Sequence, residues 1–205
     1  MRLPYAPSTA DNQTLEVQDI YARIAARRLP RPLIPLDLTL LHAPPVADGY
    51  NSFVGALRTK TVIDAGLLEL SISRVAILNQ AVYEWNIHAP LALKAGIKPA
   101  ELNEVQKLPS YAELSNVEDV WKAWQETCLD VRQRAVVAYT DEMTQNVAVK
   151  DETFKLLRDV EFSDREILEL TTTIAGYNCV SRILVSLDVG ENNGKEMKSV
   201  ESMVN

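Results

Sequence analysis

The sequence predicts an all-α protein, a helical bundle of about seven or eight helices with an extended proline-rich N-terminal arm. Apolar residues recur at helical spacing through most of the chain after residue 48, and strand patterns are weak everywhere. Apolar residues make up 47% of the 205 residues and charged residues 24%, which is typical of a folded globular chain. We therefore expect one helical domain over residues 36–190, preceded by the arm (residues 1–35) and followed by a polar tail (residues 191–205).

The arm is predicted from proline. Seven of the ten prolines lie within the first 45 residues. Proline lacks a backbone N–H and disfavours helical geometry in the residue before it, so helix cannot run through most of this stretch. We expect one helix at about residues 14–28 and extended chain that wraps the body, with a partly mobile tail as the alternative.

The body helices follow from periodicity. Residues 48–57 carry apolar side chains at positions i, i+3, i+4 and i+7, which predicts a short helix. Residues 64–95 are the longest periodic stretch, and Pro90 is expected to kink or break it near its end. This stretch is apolar on more than one face, which indicates burial by its own chain and by neighbouring subunits. We therefore expect a homo-oligomer.

Helix starts in the second half of the chain are marked by capping patterns. Residues 99–106 form a predicted helix because Pro99 can open its first turn. The pairs Ser115 with Glu118 and Ser163 with Glu166 match the S-x-x-E capping box. The first box leads into a helix with two tryptophans that continues to about Tyr139, and the second opens the last long helix. The polar tail is expected to be frayed or used in subunit contact.

Composition excludes several classes of partner. The net charge of −7 and the pI near 5.0 disfavour nucleic acid. The longest apolar run has five residues, far short of the roughly 18 that span a bilayer, so we expect no membrane segment. Cys128 and Cys179 are lone thiols, which agrees with a reducing compartment. A cytoplasmic protein is expected.

Residues 68–97 place unusual polar side chains among apolar ones. Glu84 and His88 are four residues apart, so on a helix they share one face with Cβ atoms about 6 Å apart. A carboxylate beside an imidazole fixes its tautomer, and burial moves both pKa values toward neutrality, which makes a proton-transfer pair. An ordinary surface ion pair is the alternative. Tyr83 and Trp85 are expected to line the site and bind substrate.

Glu69 is the third catalytic candidate. On one straight helix it would lie about 22 Å from Glu84, so the helix must break between them. Asn79 is the expected place of the break, as the N-cap of a helix that begins near Ala81. The alternative for Glu69 is an ion pair with Arg74 or another arginine.

These residues resemble the signature of the carboxymuconolactone decarboxylase family, part of the wider alkylhydroperoxidase D-like superfamily. The resemblance covers about residues 36–189. It rests most specifically on Tyr83-Glu84-Trp85 and His88. The other segments that carry it are Leu41–Pro44, Asp48–Arg58, Glu69, Ala81-Val82, Ala92, Ala95-Gly96, Tyr177-Asn178 and Arg182.

The resemblance implies an all-helical, oligomeric, cofactor-free protein. In the peroxidase branch of the superfamily, a Glu and a His relay protons to a C-x-x-C pair. Here the two cysteine positions hold Ala81 and Glu84, which disfavours a thiol peroxidase. What remains resembles the decarboxylase-like branch.

The leading hypothesis is therefore a cofactor-independent lyase or isomerase that acts on a small cyclic acid, lactone or polyketide-like substrate. His88, as an imidazolium, would stabilise developing negative charge and deliver a proton to carbon. Glu84 would orient His88, and Glu69 would reset the proton inventory or repel a departing carboxylate. A thiol-dependent alkylhydroperoxidase-like oxidoreductase and a non-catalytic oligomeric binding protein are the alternatives.

His42 and Arg182 complete the candidate substrate-binding residues. For His42 the alternative is a helix cap or a bond to a backbone carbonyl, and for Arg182 it is an ion pair with an acid such as Glu169. A metal site on the Glu and His candidates is disfavoured, because E-x-x-x-H differs from the E-x-x-H of carboxylate-bridged bundles. We expect no cofactor and no metal.

Overall fold

The computed structural model describes residues 1–113, 124 and 126–204. The regular structure of these residues is entirely helical, which confirms the predicted all-α fold. None of the described helices combines the length and the apolar character needed to cross a membrane. The helices are α1 (Leu15–Arg28), α2 (Pro35–Leu40), α3 (Pro44–Thr59), α4 (Ala65–Leu78), α5 (Val82–Lys94), α6 (Pro99–Lys107), a 3₁₀ turn (Tyr111–Glu113), α7 (Val131–Gln145), α8 (Asp151–Asp159), α9 (Asp164–Leu187) and α10 (Glu201–Val204).

The N-terminal arm lies across the body. The Arg2 N–H donates to the Leu187 carbonyl (2.8 Å) and the Ala6 N–H donates to the Leu38 carbonyl (3.1 Å). The arm thereby contacts α2, a helix that the sequence did not predict. Pro35 stands in the first turn of α2, where no N–H is needed, and the Asp37 carboxylate accepts the N–H of Ile34 (3.0 Å). Proline therefore opens a helix here, as it also does at the start of α3, which begins four residues earlier than expected.

The break between α4 and α5 falls where the sequence predicts it. Gln80 has a φ of +53°, and Ala81 occupies the N-cap position of α5. Asn79 does not cap α5, contrary to expectation. Its side-chain amide instead donates to Asn178 Oδ1 (3.0 Å) and Ser181 Oγ (2.7 Å) on α9. The break is thus tied to α9.

Pro90 does not end α5. The helix continues to Lys94, and Ala89 and Ala92 on either side of the proline are fully buried. Burial of this apolar face stabilises the helix even though Pro90 lacks the N–H of one backbone hydrogen bond.

Helix α4 lies at the centre of the bundle. It packs against α5, α7 and α9, and its apolar faces are covered by its own chain. Arg74 forms a buried bidentate ion pair with Asp141 of α7 (2.6 and 2.8 Å). Glu69 therefore does not pair with Arg74, and the arginine with which it forms an ion pair is Arg58 of α3 (3.0 Å). The homo-oligomer stays a prediction, because burial of α4 does not require a second subunit.

The second half of the chain differs from expectation in two places. Helix α7 begins only at Val131, after an Asp130 side chain that accepts the Gln133 N–H (2.8 Å). The predicted capping box of Ser115 with Glu118 lies outside the described residues. The Ser163 box is confirmed at the start of α9. The tail packs on the body, where Val200 is fully buried.

Candidate active site

A cavity of about 200 Å³ lies between α1, α3, α5 and α9. Its wall combines apolar side chains, such as Ile34, Val54 and Leu184, with a larger number of polar and ionisable ones. The polar lining consists of Arg27, Arg28, Arg31, Tyr50, Arg58, Tyr83, Glu84, His88 and Tyr177. Cavities at the junction of several helices are the usual ligand sites of helical bundles.

His88 is paired with Glu69 behind the cavity wall. The hairpin of α4 and α5 brings the imidazole Nδ1 to within 2.7 Å of Glu69 Oε2. The other carboxylate oxygen of Glu69 lies 3.0 Å from Arg58 Nη2. Because the carboxylate accepts, Nδ1 carries the hydrogen and Nε2 of neutral His88 keeps a free lone pair.

The two partners titrate in a way that leaves the imidazole neutral. Burial lowers the pKa of His88 below its ordinary 6.5, and the nearby Arg58 charge acts in the same direction, against the opposing effect of Glu69. Burial alone would raise the pKa of Glu69. The hydrogen bond from His88 and the charge of Arg58 outweigh it, so the pKa of Glu69 is lowered. At neutral pH the pair is a carboxylate beside a neutral imidazole.

Glu84 does not hydrogen-bond to His88, which corrects the predicted pairing. Nδ1 of His88 is already taken by Glu69, and both Glu84 carboxyl oxygens are buried without a hydrogen-bond partner among the described residues. Glu84 is 1% exposed, and desolvation raises its pKa well above the ordinary 4.5. Burial therefore favours the neutral, protonated form of Glu84, which lines the same cavity as His88.

Tyr177 and Arg58 were not singled out in the sequence. Arg58 Nη1 donates to Tyr177 Oη (3.0 Å), and the Tyr177 ring meets the His88 ring edge-on at a centroid distance of 4.8 Å. Burial raises the pKa of Tyr177 to about 12. Both residues fall within the segments that carry the family resemblance, and that was the available signal.

Tyr83 is the one predicted substrate-binding residue that lines the cavity. Its ring packs against Gly190, which has a φ of +74° and where a Cβ would lie 2.7 Å from the ring. Glycine at this position therefore leaves room for the ring.

The other three predicted substrate-binding residues do not line the cavity. Trp85 is fully buried in the core, and its indole N–H donates to the Lys198 carbonyl (2.8 Å). His42 bonds through Nε2 to the Pro4 carbonyl (2.5 Å), which was its alternative. Arg182 donates to Asn178 Oδ1 (2.6 Å) and forms neither the predicted substrate clamp nor the ion pair with Glu169.

The described residues supply neither a metal cluster nor a thiol at the cavity. In residues 1–113, 124 and 126–204, no three His, Cys, Asp or Glu side chains come together as a possible metal site. Cys128 and Cys179 are exposed and absent from the cavity wall. Partial desolvation and the charge of Glu104 raise the pKa of Cys128. Less of this thiol is therefore present as the nucleophilic thiolate.

Comparison with known proteins finds a family model that matches the middle of the chain. Residues 44–126 match the model of the carboxymuconolactone decarboxylase family. A sequence search of curated proteins finds no match for the chain.

Several solved structures share the fold. An uncharacterized peroxidase-related protein from Ralstonia eutropha JMP134, described as an alkylhydroperoxidase AhpD core, is similar with a TM-score of 0.68 and 16% identity, over 92% of this chain and 90% of that one. A peroxidase-related protein from Silicibacter sp. TM1040 has a TM-score of 0.66 and 16% identity, over 95% and 99%. A variant of the debrominase Bmp8 in complex with 2,3,4-tribromopyrrole has a TM-score of 0.67 and 12% identity, over 100% and 97%.

Proposed function

Because residues 44–126 match the carboxymuconolactone decarboxylase family and the chain shares the fold of alkylhydroperoxidase D-like proteins, we propose that it is an enzyme of proton transfer at carbon. The proposed activity is that of a cofactor-independent lyase or isomerase. Its substrate is a small cyclic acid, a lactone or a polyketide-like aromatic.

One observation carries this proposal: the environments of two residues in one cavity push their pKa values in opposite directions. His88 is a neutral imidazole with a free Nε2, and Glu84 is a protonated acid with no internal partner. Groups separated in this way are the usual acid and base of an enzyme that works at neutral pH. Glu84 has no hydrogen-bond partner within the described residues, and the bond from His88 to Glu69 uses Nδ1, which leaves Nε2 available to a substrate.

For isomerisation, Nε2 of His88 removes a proton from a carbon beside a carbonyl, and the electron pair moves onto the carbonyl oxygen. Glu84 stabilises that enolate by hydrogen bonding and delivers its proton to the second carbon. The proton on His88 then returns to Glu84, directly or through solvent. Protons and electrons are thus conserved over the cycle, and no oxidant or reductant is needed.

For decarboxylation, the carbon–carboxylate bond breaks and its electron pair forms the enolate. Glu84 donates its proton to carbon, and a solvent proton passed on by Nε2 of His88 restores the acid. The proton donor is thus Glu84 and not an imidazolium of His88, because burial disfavours the charged ring. Glu69 holds the His88 tautomer in both reactions.

The thiol-dependent alternative finds no support at the cavity. The positions of the superfamily's cysteine pair hold Ala81 and Glu84, and the two cysteines of the chain lie elsewhere. The debrominase neighbour was solved with a small halogenated ring, and the cavity volume here suits a ring of similar size.

The test is a solvent-label assay with a panel of lactones and β-keto acids in deuterium oxide. For any substrate that turns over, we expect deuterium at carbon and a loss of about 10²- to 10⁴-fold in rate for His88→Ala and for Glu84→Gln. His42→Ala is the matched control, since His42 lies outside the cavity. Turnover that is unaffected by His88→Ala would overturn the proposal.

A further inference from the structure

We infer that Arg27, which the N-terminal arm contributes through α1, is the anchor for a carboxylate of the substrate. The inference rests on the proposed function, because Arg27 lines the same cavity as His88 and Glu84. Beyond the proposed function, the inference names the residue that holds the acid group of the substrate and the part of the chain that supplies this residue. Arg27 lies outside residues 44–126, the part that matches the family model.

The Arg27 guanidinium is held in place but is only partly satisfied. Its Nε donates to the side-chain oxygen of Asn51 on α3. Its Nη2 is buried and has no hydrogen-bond partner among the described residues. Buried polar groups without a partner are uncommon in folded proteins, and a bound ligand is one of the ordinary explanations.

The charges around the cavity do not cancel. Arg28 is neutralised by Asp37, with two contacts of 2.7 Å, and Arg58 by Glu69 at 3.0 Å. Arg27 is left without an acidic partner in the described part of the chain.

Arg31 adds a second uncompensated positive charge to the same wall, since it forms no ion pair within the described residues. Glu84 forms no ion pair or hydrogen bond with these arginines within the described residues, and burial disfavours its charged form. A chain with a net charge of −7 therefore carries a cavity of positive charge.

A carboxylate satisfies this site better than solvent does. Burial lowers the pKa of Arg27, with a further contribution from the charge of Arg28, and these effects outweigh the opposing charge of Asp37, so the guanidinium bears a desolvation cost without an ion-pair partner of its own. The planar guanidinium fork presents two parallel N–H donors to a carboxylate. The apolar part of the wall favours an organic acid over an inorganic anion, and about 200 Å³ is below the roughly 300–1,000 Å³ of drug-sized ligand sites. The ligand class is a small ring acid.

The test compares two probes of nearly the same shape, 2-hydroxybenzoate and its uncharged amide, by titration calorimetry. In the wild type we expect the acid to bind at least about tenfold more tightly than the amide, a difference of about 1.4 kcal/mol. Arg27→Gln should remove that preference while amide binding stays unchanged. Arg23→Gln is the matched control, because Arg23 lies on the same helix, pairs with Asp48 and does not line the cavity.

Three further measurements guard against a folding artefact or a general anion site. Arg27→Lys keeps the charge and loses the fork, so acid affinity should fall between those of the wild type and Arg27→Gln. In the wild type, added salt should weaken binding of the acid and not of the amide. Inorganic phosphate at equal concentration should not displace the acid, and displacement would show a general anion site instead of a ring-acid site.

The outcomes separate this inference from the proposed function. Equal or absent binding of the two probes to the wild type, or an unchanged preference in Arg27→Gln, overturns the anchor even when His88→Ala abolishes turnover. Acid binding that depends on Arg27, together with turnover that ignores His88→Ala, supports the anchor and overturns the proposed function. Binding in His88→Ala should keep the preference for the acid, since His88 makes no ion pair with the anchor.

Discussion

The hydrogen bond from His88 Nδ1 to Glu69, on the side of the ring away from the cavity, determines what His88 can do. Glu69 accepts from Nδ1, so the free lone pair of the ring belongs to Nε2, and burial keeps the ring uncharged. The tautomer is thus set by a residue that does not line the cavity, whereas the charge state is set by burial. Glu69 is a positioning residue in this arrangement.

The pKa of His88 is directly measurable because the chain has two histidines. In His42→Gln the remaining imidazole signals in the NMR spectrum belong to His88. We expect them to titrate with a pKa below 6.5, and we expect a still lower pKa when Glu69→Gln is added, because Glu69 raises the pKa of the ring. A pKa above 6.5, or a rise in the double variant, would contradict the arrangement.

Glu84 gives a second test through stability. The unfolded chain releases this proton near pH 4.5, whereas the folded chain retains it well above that pH. Over that interval the unfolded state binds fewer protons, so the group makes the free energy of unfolding fall as pH rises. Glu84→Gln removes this slope.

We therefore expect the unfolding free energy of Glu84→Gln, minus that of the wild type, to increase from about pH 5 upward in urea titrations. Groups other than Glu84 cancel in the difference. A difference that stays flat or decreases with pH would show that Glu84 ionises normally in the folded state.

The sequence predicted the position of two α5 residues at the cavity better than it predicted their hydrogen bonds. Spacing along α5 correctly placed Glu84 and His88 at one cavity. It could not show which acid takes Nδ1, because that depends on the hairpin with α4. Successive residues of an α-helix are rotated by about 100°, so Trp85 points away from Glu84 and into the core. This orientation could have been predicted from the sequence. Tyr177 arrives from 89 positions beyond His88, which no local pattern reveals.

The element that matters most is the break between α4 and α5. It returns α5 along α4, and its Asn79 side chain bonds to α9 at Asn178, the residue after Tyr177, and at Ser181, one helical turn beyond Tyr177. The break connects three of the helices that build the site.

Asn79→Ala should lower the free energy of unfolding by about 1–2 kcal/mol, because two part-buried hydrogen bonds are lost. Asn12→Ala is the control: Asn12 is exposed, and its replacement should change stability by less than about 0.5 kcal/mol. Chemical denaturation measures both. Equal effects of the two substitutions would mean that the contacts of Asn79 contribute nothing.

The limits of sequence reading are clearest in the short elements. The arm prolines correctly excluded long helices, yet Pro35 and Pro44 open α2 and α3, since proline is tolerated in a first turn. The capping box at Ser163 marked a helix start correctly, and Asp130, which also caps a helix, was overlooked. A capping residue predicts a helix start reliably only when every other possible capping residue nearby is considered.

For the whole molecule, both chain ends are fastened to the helical body. The arm supplies three arginines to the cavity, and the tail covers the far side of α5, where Lys198 accepts from Trp85 and donates its N–H to Asn86 Oδ1 (3.0 Å). The sequence predicted an arm that wraps the body and a C-terminal tail that is frayed or used in subunit contact. Their docking depends on long-range contacts that leave no local sequence signal.

The tail is tested by two valines four residues apart. Val200 is fully buried and Val204 is 57% exposed. Val200→Ala should lower the free energy of unfolding by about 2 kcal/mol, and Val204→Ala by less than about 0.5 kcal/mol. Similar losses for both valines in urea denaturation would contradict the docked tail.

The central claim is that the cavity holds a protonated Glu84 beside a neutral base. The most direct measurement is the infrared difference spectrum of wild type minus Glu84→Gln in deuterium oxide at pH 7. A positive carbonyl band of a protonated carboxylic acid is the predicted result. A carboxylate band in its place would show that Glu84 is ionised and would contradict the assignment of the acid.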